Sequence, residues 1–551
     1  MSDVIRSLAE LAQQKRGAIY YPLDYLLDYL LDYPLDNLSF GEASLNKASL
    51  DKASLDKASQ ELDSDLLLLS LLPKTATDTT ALELSWQQVF ALIDCLADEL
   101  AAQGVSCQQG LALIGKNSLP QLLLYLAGLS LGARVMVINP SFPAEKIARI
   151  LSQNQLDFYC STTPLPEFEA LADKTQSRYL LNEGLASAVS ELVSAEYDKN
   201  YQRVTPRLWQ QALTMTLTSG SSGDPKAVVH DTVAHWQNAL GVNEFLAFDS
   251  SKSWLLSLPL YHVSGQGIVW RWLNAAAELH FSGIDFYRSI GRATHVSLVP
   301  TQLQRYLAYL EQASKIQKSA VDHRLAATEA VLLGGAPIDP MLCAQAQAEG
   351  LNTFSGYGMT EMASTVFVCQ NDLEQPQTRL LRGRELCIRE QEIWLRGAGL
   401  AQGYWRDGAV EPLLNAEGWY QTKDRGLWHN GNLTVLGRLD NQFISGGENI
   451  QPEEIERILQ QYSEIEQAVV LPWADAEFGY RPVAMVKFKQ PFSVQLVGEV
   501  RLWLQDKLER FKQPIAYYPL PSETGSQQMK VARGSLLQVL QQLQYQPKEN
   551  Q

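Results

Sequence analysis

The residues best suited to chemistry form a loop of hydroxyls and glycines that ends in a lysine, TSGSSGDPK at residues 218–226. Glycines allow backbone N–H groups to turn toward phosphate oxygens, hydroxyls add further donors, and the lysine adds a positive charge. The G-x-x-x-x-G-K-[ST] spacing of a Walker A loop is missing, so standard kinase or ATPase chemistry is not indicated. The loop predicts an anion-binding cradle, and a polar surface loop is the alternative for this motif taken alone.

Length and charge limit the classes of protein to consider. The chain has 551 residues, more than one hydrophobic core usually organises, so at least two domains are expected. Its formal net charge of −16 argues against nucleic-acid and anionic-membrane partners, because phosphate-rich surfaces attract basic proteins. No apolar run approaches the roughly 20 residues that span a bilayer. We expect small-molecule partners, no nucleic acid and no membrane, and the sequence is compatible with a homo-oligomer.

The cysteines indicate a reducing compartment. None of the six belongs to a C-x-x-C pair, and none shows zinc-ligand spacing with histidine. Residues 1–17 contain no continuous apolar segment of the kind that a secretory signal requires. The expectation is a cytoplasmic protein with reduced thiols.

Residues 21–63 are of low complexity and contain a four-residue repeat followed by a five-residue repeat. A step of five moves each leucine by about 140° around a helix, so no apolar stripe forms. We interpret this segment as an expanded insertion, with a partner-binding helix as the alternative. The apolar run at residues 66–72 predicts a buried strand.

From residue 85 onward, predicted strands alternate with predicted helices, which favours parallel sheets covered by helices on both faces. Helices are expected at residues 86–102 and 119–131, and strands at 110–115, 133–138, 254–260, 294–299 and 330–333. The pattern changes near residue 440. Beyond it we expect a helix from Pro452, strands at 468–471 and 483–488, and helices at 494–511 and 534–543. The predicted domains are therefore residues 1–439, which include the insertion, and residues 440–551.

Six motifs follow one another in a fixed order. They are TSGSSGDPK at 218–226, LGGAP at 333–337, SGYGMTE at 355–361, GWYQTKDRG at 418–426, GRLDN to GGENIQPEEIE at 437–456 and MKVAR at 529–533. This order resembles the adenylate-forming superfamily of acyl-CoA synthetases, from about Trp86 to the C-terminus. The resemblance implies an α/β fold: a large N-terminal domain of doubly wound sheets plus a small barrel-like subdomain, with a small mobile α+β C-terminal domain.

The resemblance also implies how the chain would bind ATP. The β- and γ-phosphates would be held by Thr218, Ser219, Gly220, Ser221, Ser222, Gly223 and Lys226. The adenine would contact Gly335, Ala336 and Tyr357, the ribose hydroxyls Asp424, and the ribose and phosphate Arg438. Thr360 and Glu361 would reach the α-phosphate and Mg²⁺, a hard cation that prefers carboxylate oxygen.

The reaction implied by the family is attack of a carboxylate on the α-phosphorus, which releases pyrophosphate, followed by transfer of the acyl group to the thiol of coenzyme A. Lys530 would stabilise charge as the adenylate forms, together with Thr218 and Glu361. Asp440 matches the hinge about which the C-terminal domain rotates, and Gly446 and Gly447 would line the tunnel for the thiol arm. Two positions depart from the family pattern, with Lys423 and Ala227 where glycine is commoner; neither removes a polar group that the chemistry uses.

The acid is indicated by Arg271, which lies in the aromatic run WRW at residues 270–272. An arginine in an apolar setting either extends to the surface or pairs with a carboxylate. An acyl substrate with a second carboxylate would supply that partner, and the motifs resemble family members that act on an aromatic keto-diacid. Ser264, Gln266 and Thr301 are weaker candidates for the acyl pocket, and His262 is either a pocket residue or a structural histidine. The alternatives are another aryl- or acyl-CoA ligase and an inactive scaffold.

Overall fold

The structure is a computed structural model that describes residues 2–11, 14, 16–22, 81–162, 177–180, 207–218, 225–283, 285–316, 328–335, 338–371, 378–445, 448–475, 478–505, 507–521 and 533–545. The repeat segment from residue 23, the predicted strand at 66–72 and several predicted site residues lie outside these ranges. Those site residues are Ser219, Gly220, Ser221, Ser222, Gly223, Ala336, Gly446, Gly447 and Lys530.

The described strands are, in chain order, β1 (Gly17–Pro22), β2 (Ala81–Ser85), β3 (Gly110–Ile114), β4 (Arg134–Ile138), β5 (Phe158–Ser161), β6 (Arg178–Tyr179), β7 (Leu213–Thr218), β8 (Lys226–Asp231), β9 (Ser253–Leu255), β10 (Glu278–His280), β11 (His295–Leu298), β12 (Ala330–Leu333), β13 (Thr353–Met359), β14 (Ser364–Gln370), β15 (Thr378–Leu380), β16 (Arg384–Arg389), β17 (Glu392–Gly397), β18 (Gly403–Arg406), β19 (Ala409–Pro412), β20 (Tyr420–His429), β21 (Asn432–Arg438), β22 (Phe443–Ser445), β23 (Glu448–Ile450), β24 (Ile465–Asp475), β25 (Gly479–Phe488) and β26 (Tyr517–Pro519).

The described helices are α1 (Ser2–Leu11), α2 (Trp86–Ala102), α3 (Leu119–Ser130), α4 (Ala144–Gln153), α5 (Thr232–Leu246), α6 (Val263–Ala275), α7 (Phe286–Ile290), α8 (Pro300–Ile316), α9 (Pro340–Ala348), α10 (Pro452–Leu459), α11 (Val494–Leu504) and α12 (Arg533–Tyr545). None of the helices in the described ranges is long and apolar enough to cross a membrane.

The chain forms two compact units. The first comprises Met1–Thr218, Lys226–Arg384 and Gly397–Leu413, and the second Ser219–Pro225, Glu385–Arg396 and Leu414–Gln551. The predicted domain boundary at residues 439 and 440 falls inside the second unit, between strands of two different sheets. That boundary remains a prediction.

The first unit contains two large mixed sheets: the nine-stranded sheet is antiparallel at both edges, and the eight-stranded sheet is antiparallel at one edge and parallel at the other. The nine-stranded sheet has the order β15-β14-β13-β12-β11-β9-β10-β1-β2, and the eight-stranded sheet the order β19-β18-β8-β7-β4-β3-β5-β6. Strands β3 and β4 are buried along their whole length, because helices cover both faces of a parallel sheet. The alternating pattern read from the sequence therefore predicted this architecture correctly.

Local signals explain where the helices begin. Helix α2 starts at a capping box, in which the Ser85 side chain accepts from the Gln88 backbone N–H and the Gln88 side chain accepts from the Ser85 N–H. This helix spans residues 86–102, as predicted. The strand expected at residues 254–260 ends at Leu255 instead. The Asn117 side-chain amide donates to the Leu258 carbonyl at 2.8 Å and accepts from the Leu260 N–H at 2.9 Å. Residues 256–260 therefore form a loop that these hydrogen bonds fix.

The second unit contains two smaller sheets. One is the four-stranded sheet β16-β17-β20-β21, in which β20 is antiparallel to both β17 and β21. The other sheet has the order β23-β22-β25-β24, with β26 beside β25, and its core also includes apolar residues of α10 and α11. Helix α11 ends at Leu504 rather than at residue 511. Leu508 and Phe511, which suggested a longer helix, pack on the same core from the turns that follow.

Candidate active site

The predicted phosphate loop connects two strands of a hairpin. Strands β7 and β8 are antiparallel, and their last paired residues are Thr218 and Lys226. The Thr218 hydroxyl donates to the Lys226 carbonyl at 3.5 Å, the outer limit for such a bond. The two ends of the loop are therefore fixed next to each other, while residues 219–224 lie outside the described ranges. Ala227, where the family has glycine, is a regular strand residue.

Lys226 and Glu361 are connected through a tyrosine that the sequence analysis missed. Tyr404 lies on β18, which pairs with β8, and the centre of its ring is 5.1 Å from the Lys226 Nζ. Its hydroxyl donates to the Glu361 Oε1 at 2.8 Å. Two candidate nucleotide-binding residues that are distant in sequence are thus brought together by one aromatic side chain, a geometry that orients the Glu361 carboxylate.

Glu361 belongs to a tight turn between β13 and β14. Thr360, Glu361 and Met362 form a single 3₁₀ turn, and the Ala401 N–H donates to the Glu361 carbonyl at 2.8 Å. The next residues, Ala363 and Ser364, have φ angles of 55° and 119°. Non-glycine residues rarely adopt such angles, so the surrounding structure must hold this turn in place.

The candidate adenine-contacting residues lie at the ends of adjacent parallel strands. Gly335 follows β12 and has a φ of 83°, which only glycine adopts without strain. Tyr357 is a half-buried residue of β13. Strands β12 and β13 are neighbours in the nine-stranded sheet, so these two positions share one region of the first unit. Crevices beside the carboxyl ends of parallel strands commonly bind ligands in α/β proteins.

In the second unit, the candidate ribose-binding and hinge residues share one guanidinium group. Asp424 and Arg438 are paired across β20 and β21, and the Arg438 Nη1 lies 3.3 Å from the Asp424 Oδ1. The Arg438 Nε and Nη2 also donate to the two carboxylate oxygens of Asp440 at 2.9 and 2.8 Å. The carboxylates of Asp440 and Asp424 raise the pKa of Arg438 above its ordinary value. Asp424 is 8% exposed, and its carboxyl group lies beside the positive charge of Arg438.

Lys423 explains one departure from the family pattern. Its φ is 63°, in the left-handed region that glycine adopts freely. A lysine there is strained by about 1 kcal/mol. The Lys423 N–H donates to Glu392 Oε1 at 2.9 Å, which helps to hold the unusual backbone. The backbone at this position therefore suits glycine, the residue of the family pattern, for conformational reasons.

Arg271 is buried, and no carboxylate of the described residues pairs with it. It lies on α6, is 1% exposed and has its Cζ 5.0 Å from the Trp254 ring. Its Nη1 and Nη2 contact the hydroxyls of Ser297, Ser364 and Thr365 at distances of 3.3–3.5 Å, and its Nε has no partner. These contacts are long for a charged donor. Burial and, to a smaller extent, the positive charge of Arg384 lower the pKa of Arg271 to about 9.

The remaining acyl-pocket candidates differ in the burial and the contacts of their side chains. Gln266 is buried, and its amide accepts from the Thr216 hydroxyl at 3.2 Å and donates to the Leu260 carbonyl at 3.1 Å. His262 precedes α6, and its ring centre is 4.8 Å from that of Tyr261. Ser264 is half-buried and Thr301 is exposed. Gln266 therefore already has a structural role, which the sequence did not reveal.

A magnesium ion would rest on few protein ligands. Among the described residues there is no cluster of three or more histidine, cysteine, aspartate or glutamate side chains that could hold a metal ion. Mg²⁺ usually keeps several waters and binds through one or two carboxylates together with substrate phosphates. The single half-buried carboxylate of Glu361, oriented by Tyr404, fits that kind of site.

The architecture and the site define a nucleotide-dependent acid-activating enzyme. The model of the AMP-binding enzyme family matches residues 73–405, and the chain belongs to this family. The most similar relatives include the 2-succinylbenzoate–CoA ligase of Haemophilus influenzae, which is 49% identical over 80% of this chain and 89% of the relative. The 2-succinylbenzoate–CoA ligase of Escherichia coli is 41% identical over 84% of this chain and 94% of the relative.

Solved structures of MenE enzymes also match this chain. A variant of E. coli MenE with bound OSB-AMS has a TM-score of 0.70 and 39% identity, over 84% of this chain and 94% of that chain. The Bacillus subtilis MenE in complex with ATP and magnesium ion has a TM-score of 0.68 and 23% identity, over 83% of this chain and 95% of that chain. The second likeness concerns the fold. Together these matches confirm the predicted fold class.

Proposed function

We propose that the protein catalyses the ATP-dependent ligation of 2-succinylbenzoate to coenzyme A. The products are succinylbenzoyl-CoA, AMP and pyrophosphate, in a reaction of menaquinone synthesis. The observation that carries this substrate assignment is the buried guanidinium of Arg271, which lacks a carboxylate partner among the described residues. The relatives named 2-succinylbenzoate–CoA ligase, at 41–49% identity, support the same assignment.

The chemistry of Arg271 favours a substrate with two carboxylates. A buried cation without a counter-ion is unfavourable, and a carboxylate that enters its pocket removes that penalty while forming two parallel hydrogen bonds. The three hydroxyls in contact with Arg271 lie at 3.3–3.5 Å; they position the guanidinium without neutralising its charge, so it can still bind a carboxylate. We therefore assign the carboxylate that is not activated to Arg271. Ser264, Thr301 and His262 remain candidates for the walls of the acyl pocket.

We assign the nucleotide to the motifs that carried the family resemblance. The loop from Thr218 to Lys226 holds the β- and γ-phosphates, and Gly335, Ala336 and Tyr357 contact the adenine. Thr360 and Glu361 hold Mg²⁺ and face the α-phosphate; when bound, the ion neutralises phosphate charge. Tyr404 fixes the orientation of the Glu361 carboxylate through its 2.8 Å hydrogen bond.

The proposed reaction proceeds in two steps. In the first, a carboxylate oxygen of the acid forms a bond to the α-phosphorus of ATP, and the bond from that phosphorus to the bridging oxygen breaks, which releases pyrophosphate. In the second, the sulfur of coenzyme A forms a bond to the acyl carbon, the bond from that carbon to the phosphate oxygen breaks, AMP leaves with its electron pair, and the thiol proton passes to water. The protein mainly positions the reactants and neutralises developing charge.

The second unit supplies the remaining roles. Lys530 stabilises negative charge as the adenylate forms, and Gly446 and Gly447 admit the thiol arm of coenzyme A. Asp424 accepts hydrogen bonds from the ribose hydroxyls. We place a rotating C-terminal domain at residues 440–551, with Asp440 as its hinge. The sheet that contains β24 and β25 has its own hydrophobic core within these residues, which supports an independent domain.

We propose the cytoplasm as the site of action. None of the six cysteines belongs to a C-x-x-C pair, which suits a reducing compartment that also supplies ATP and coenzyme A. The acidic composition argues against nucleic-acid partners.

A pyrophosphate-release assay across aromatic mono- and dicarboxylic acids tests the proposal. We expect release that depends on ATP and Mg²⁺, with the largest kcat/KM for 2-succinylbenzoate. The matched control is 4-oxo-4-phenylbutanoate, the same keto acid without the carboxylate on the ring. Equal kcat/KM for the two acids would instead favour another aryl- or acyl-CoA ligase of the family, and no release with any acid would favour an inactive scaffold.

A further inference from the structure

The turn between β13 and β14 carries residues of two candidate sites. Thr360 and Glu361, assigned to the nucleotide, begin the turn, and Ser364 and Thr365, whose hydroxyls contact Arg271, end it. Only four residues lie between Thr360, at the start of the nucleotide side, and Thr365, at the end of the acid side. Any displacement of this turn moves both sets of side chains together.

The turn contains two residues with strained backbone angles, between strands that pair at Met359 and Ser364. Ala363 and Ser364 have φ angles of 55° and 119°, which are unfavourable for residues that carry a Cβ. The described hydrogen bond within the turn joins the Ala363 N–H to the Thr360 carbonyl at 3.0 Å. A strained backbone persists only where neighbouring groups fix it.

Two buried side chains from elsewhere in the first unit supply that restraint. The side-chain amide of Asn238, on α5, donates to the Met362 carbonyl at 2.8 Å and to the Thr365 carbonyl at 3.0 Å. The Arg384 Nη2 donates to the same Thr365 carbonyl at 3.1 Å and to the Asn238 carbonyl at 2.9 Å. The turn is therefore gripped on both sides of its strained residues.

Arg384 is itself unusual. It is 5% exposed, its four described hydrogen bonds all go to backbone carbonyls, and no carboxylate of the described residues pairs with it. Room for its guanidinium depends on Gly241 of α5, where an added Cβ would lie 2.5 Å from the Arg384 Nη1. The guanidinium presents five donors in a fixed planar fork, whereas a lysine has three donors on a single nitrogen and cannot reproduce that spacing.

We propose that Asn238 and Arg384 form a clamp of positioning residues that sets the preference of the enzyme for a diacid. The clamp fixes the Thr365 backbone, and thereby the hydroxyls of Ser364 and Thr365 that place the Arg271 guanidinium. A two-bond grip on a carboxylate depends on that placement, whereas a monocarboxylic acid does not use Arg271. This inference rests on the proposed function.

The test compares kcat/KM for 2-succinylbenzoate and 4-oxo-4-phenylbutanoate in Arg384→Lys and Gly241→Ala proteins. Arg384→Lys retains the charge and loses the fork, whereas Gly241→Ala keeps every hydrogen-bonding group and displaces the fork with one methyl group. In both variants we expect the preference for the diacid to fall about 10-fold, in keeping with the rate loss from small misplacements. Effects through Glu361 alter both acids equally and cancel in the ratio.

Matched controls separate positioning from general stability. Arg207→Lys makes the same change at another buried arginine, which pairs with Asp94 and Asp98. Gly498→Ala makes the other change on α11, where nothing lies within 4 Å of the added Cβ. Both controls should keep the wild-type acid preference.

The outcomes are distinguishable. A wild-type enzyme without a preference for the diacid overturns the proposed function. A wild-type enzyme with that preference, together with Arg384→Lys and Gly241→Ala proteins that retain it, overturns the clamp and leaves the proposed function standing.

Discussion

Replacing Arg271 with methionine tests the central electrostatic argument. Methionine follows the path of the arginine stem and removes only the charged head, so the pocket keeps most of its packing. In the free protein this substitution removes three contacts of 3.3–3.5 Å to hydroxyls. It also removes a buried Nε that has no hydrogen-bond partner among the described residues. Because an unpaired charge is taken out of the interior, we expect a melting temperature equal to or above that of the wild type.

The loss on the substrate side is far larger. Two charge-assisted hydrogen bonds to a carboxylate contribute about 1.5–3 kcal/mol each. At about 1.4 kcal/mol per tenfold, KM for 2-succinylbenzoate should rise about 100-fold or more. KM for 4-oxo-4-phenylbutanoate should change less than about threefold or fall, since no desolvated cation then faces its ring.

Steady-state pyrophosphate release with both acids, together with thermal unfolding of the free protein, measures these effects. The conservative control is Arg271→Lys, which keeps a positive charge and should lie between the wild type and Arg271→Met. An equal rise in KM for both acids, accompanied by a melting temperature several degrees lower, would refute the reasoning. The guanidinium would then be a structural element of the core.

Three further predictions concern Lys530, Tyr404 and the protonation of Arg271. Lys530→Ala should abolish adenylate formation and leave thioester formation from supplied adenylate largely intact; loss of both half-reactions would contradict its assigned role. Tyr404→Phe removes the hydroxyl that orients Glu361, so kcat/KM for Mg-ATP should fall about 10-fold while KM for coenzyme A stays constant. Burial lowers the pKa of Arg271 to about 9, and a bound carboxylate raises it again. Calorimetry in two buffers of different ionisation enthalpy should therefore detect proton uptake on diacid binding above about pH 9 and none near neutrality; uptake that is the same with the monoacid would exclude Arg271 as its source.

Features encoded in contiguous residues were predictable from the sequence. The alternation of helices and buried strands fixed the α/β class, since a fully covered strand must be apolar along its length, as β3 and β4 are. The helix at residues 86–102 carried its own start signal in Ser85 and Gln88. The glycine turn after β12 was visible because a φ of 83° at Gly335 requires that residue type.

Features that depend on long-range contacts were not predictable. Tyr404 meets Glu361 across 43 residues, and Arg384 meets Asn238 across 146, with no local pattern to connect them. In the sequence, Tyr404 is an ordinary strand tyrosine, and Arg384 is a residue type that is usually exposed to solvent. Gln266 was assigned to the acyl pocket because of its motif, whereas the structure shows its amide bonded to Thr216 and Leu260. Such partners emerge only when the strands are assembled.

The pairing of β1 with β2 has a consequence for how this chain can change length. These strands are antiparallel neighbours, and the last residue of one, Pro22, is paired with the first of the other, Ala81. The two anchor points of the intervening segment are therefore neighbours in the sheet. In general, doubling the length of a loop between adjacent anchor points adds only about 0.6 kcal/mol of closure entropy. Repeat units can therefore accumulate or be lost there over generations without disturbing the register of the sheet, and the same junction is a suitable point at which to splice a reporter into the enzyme.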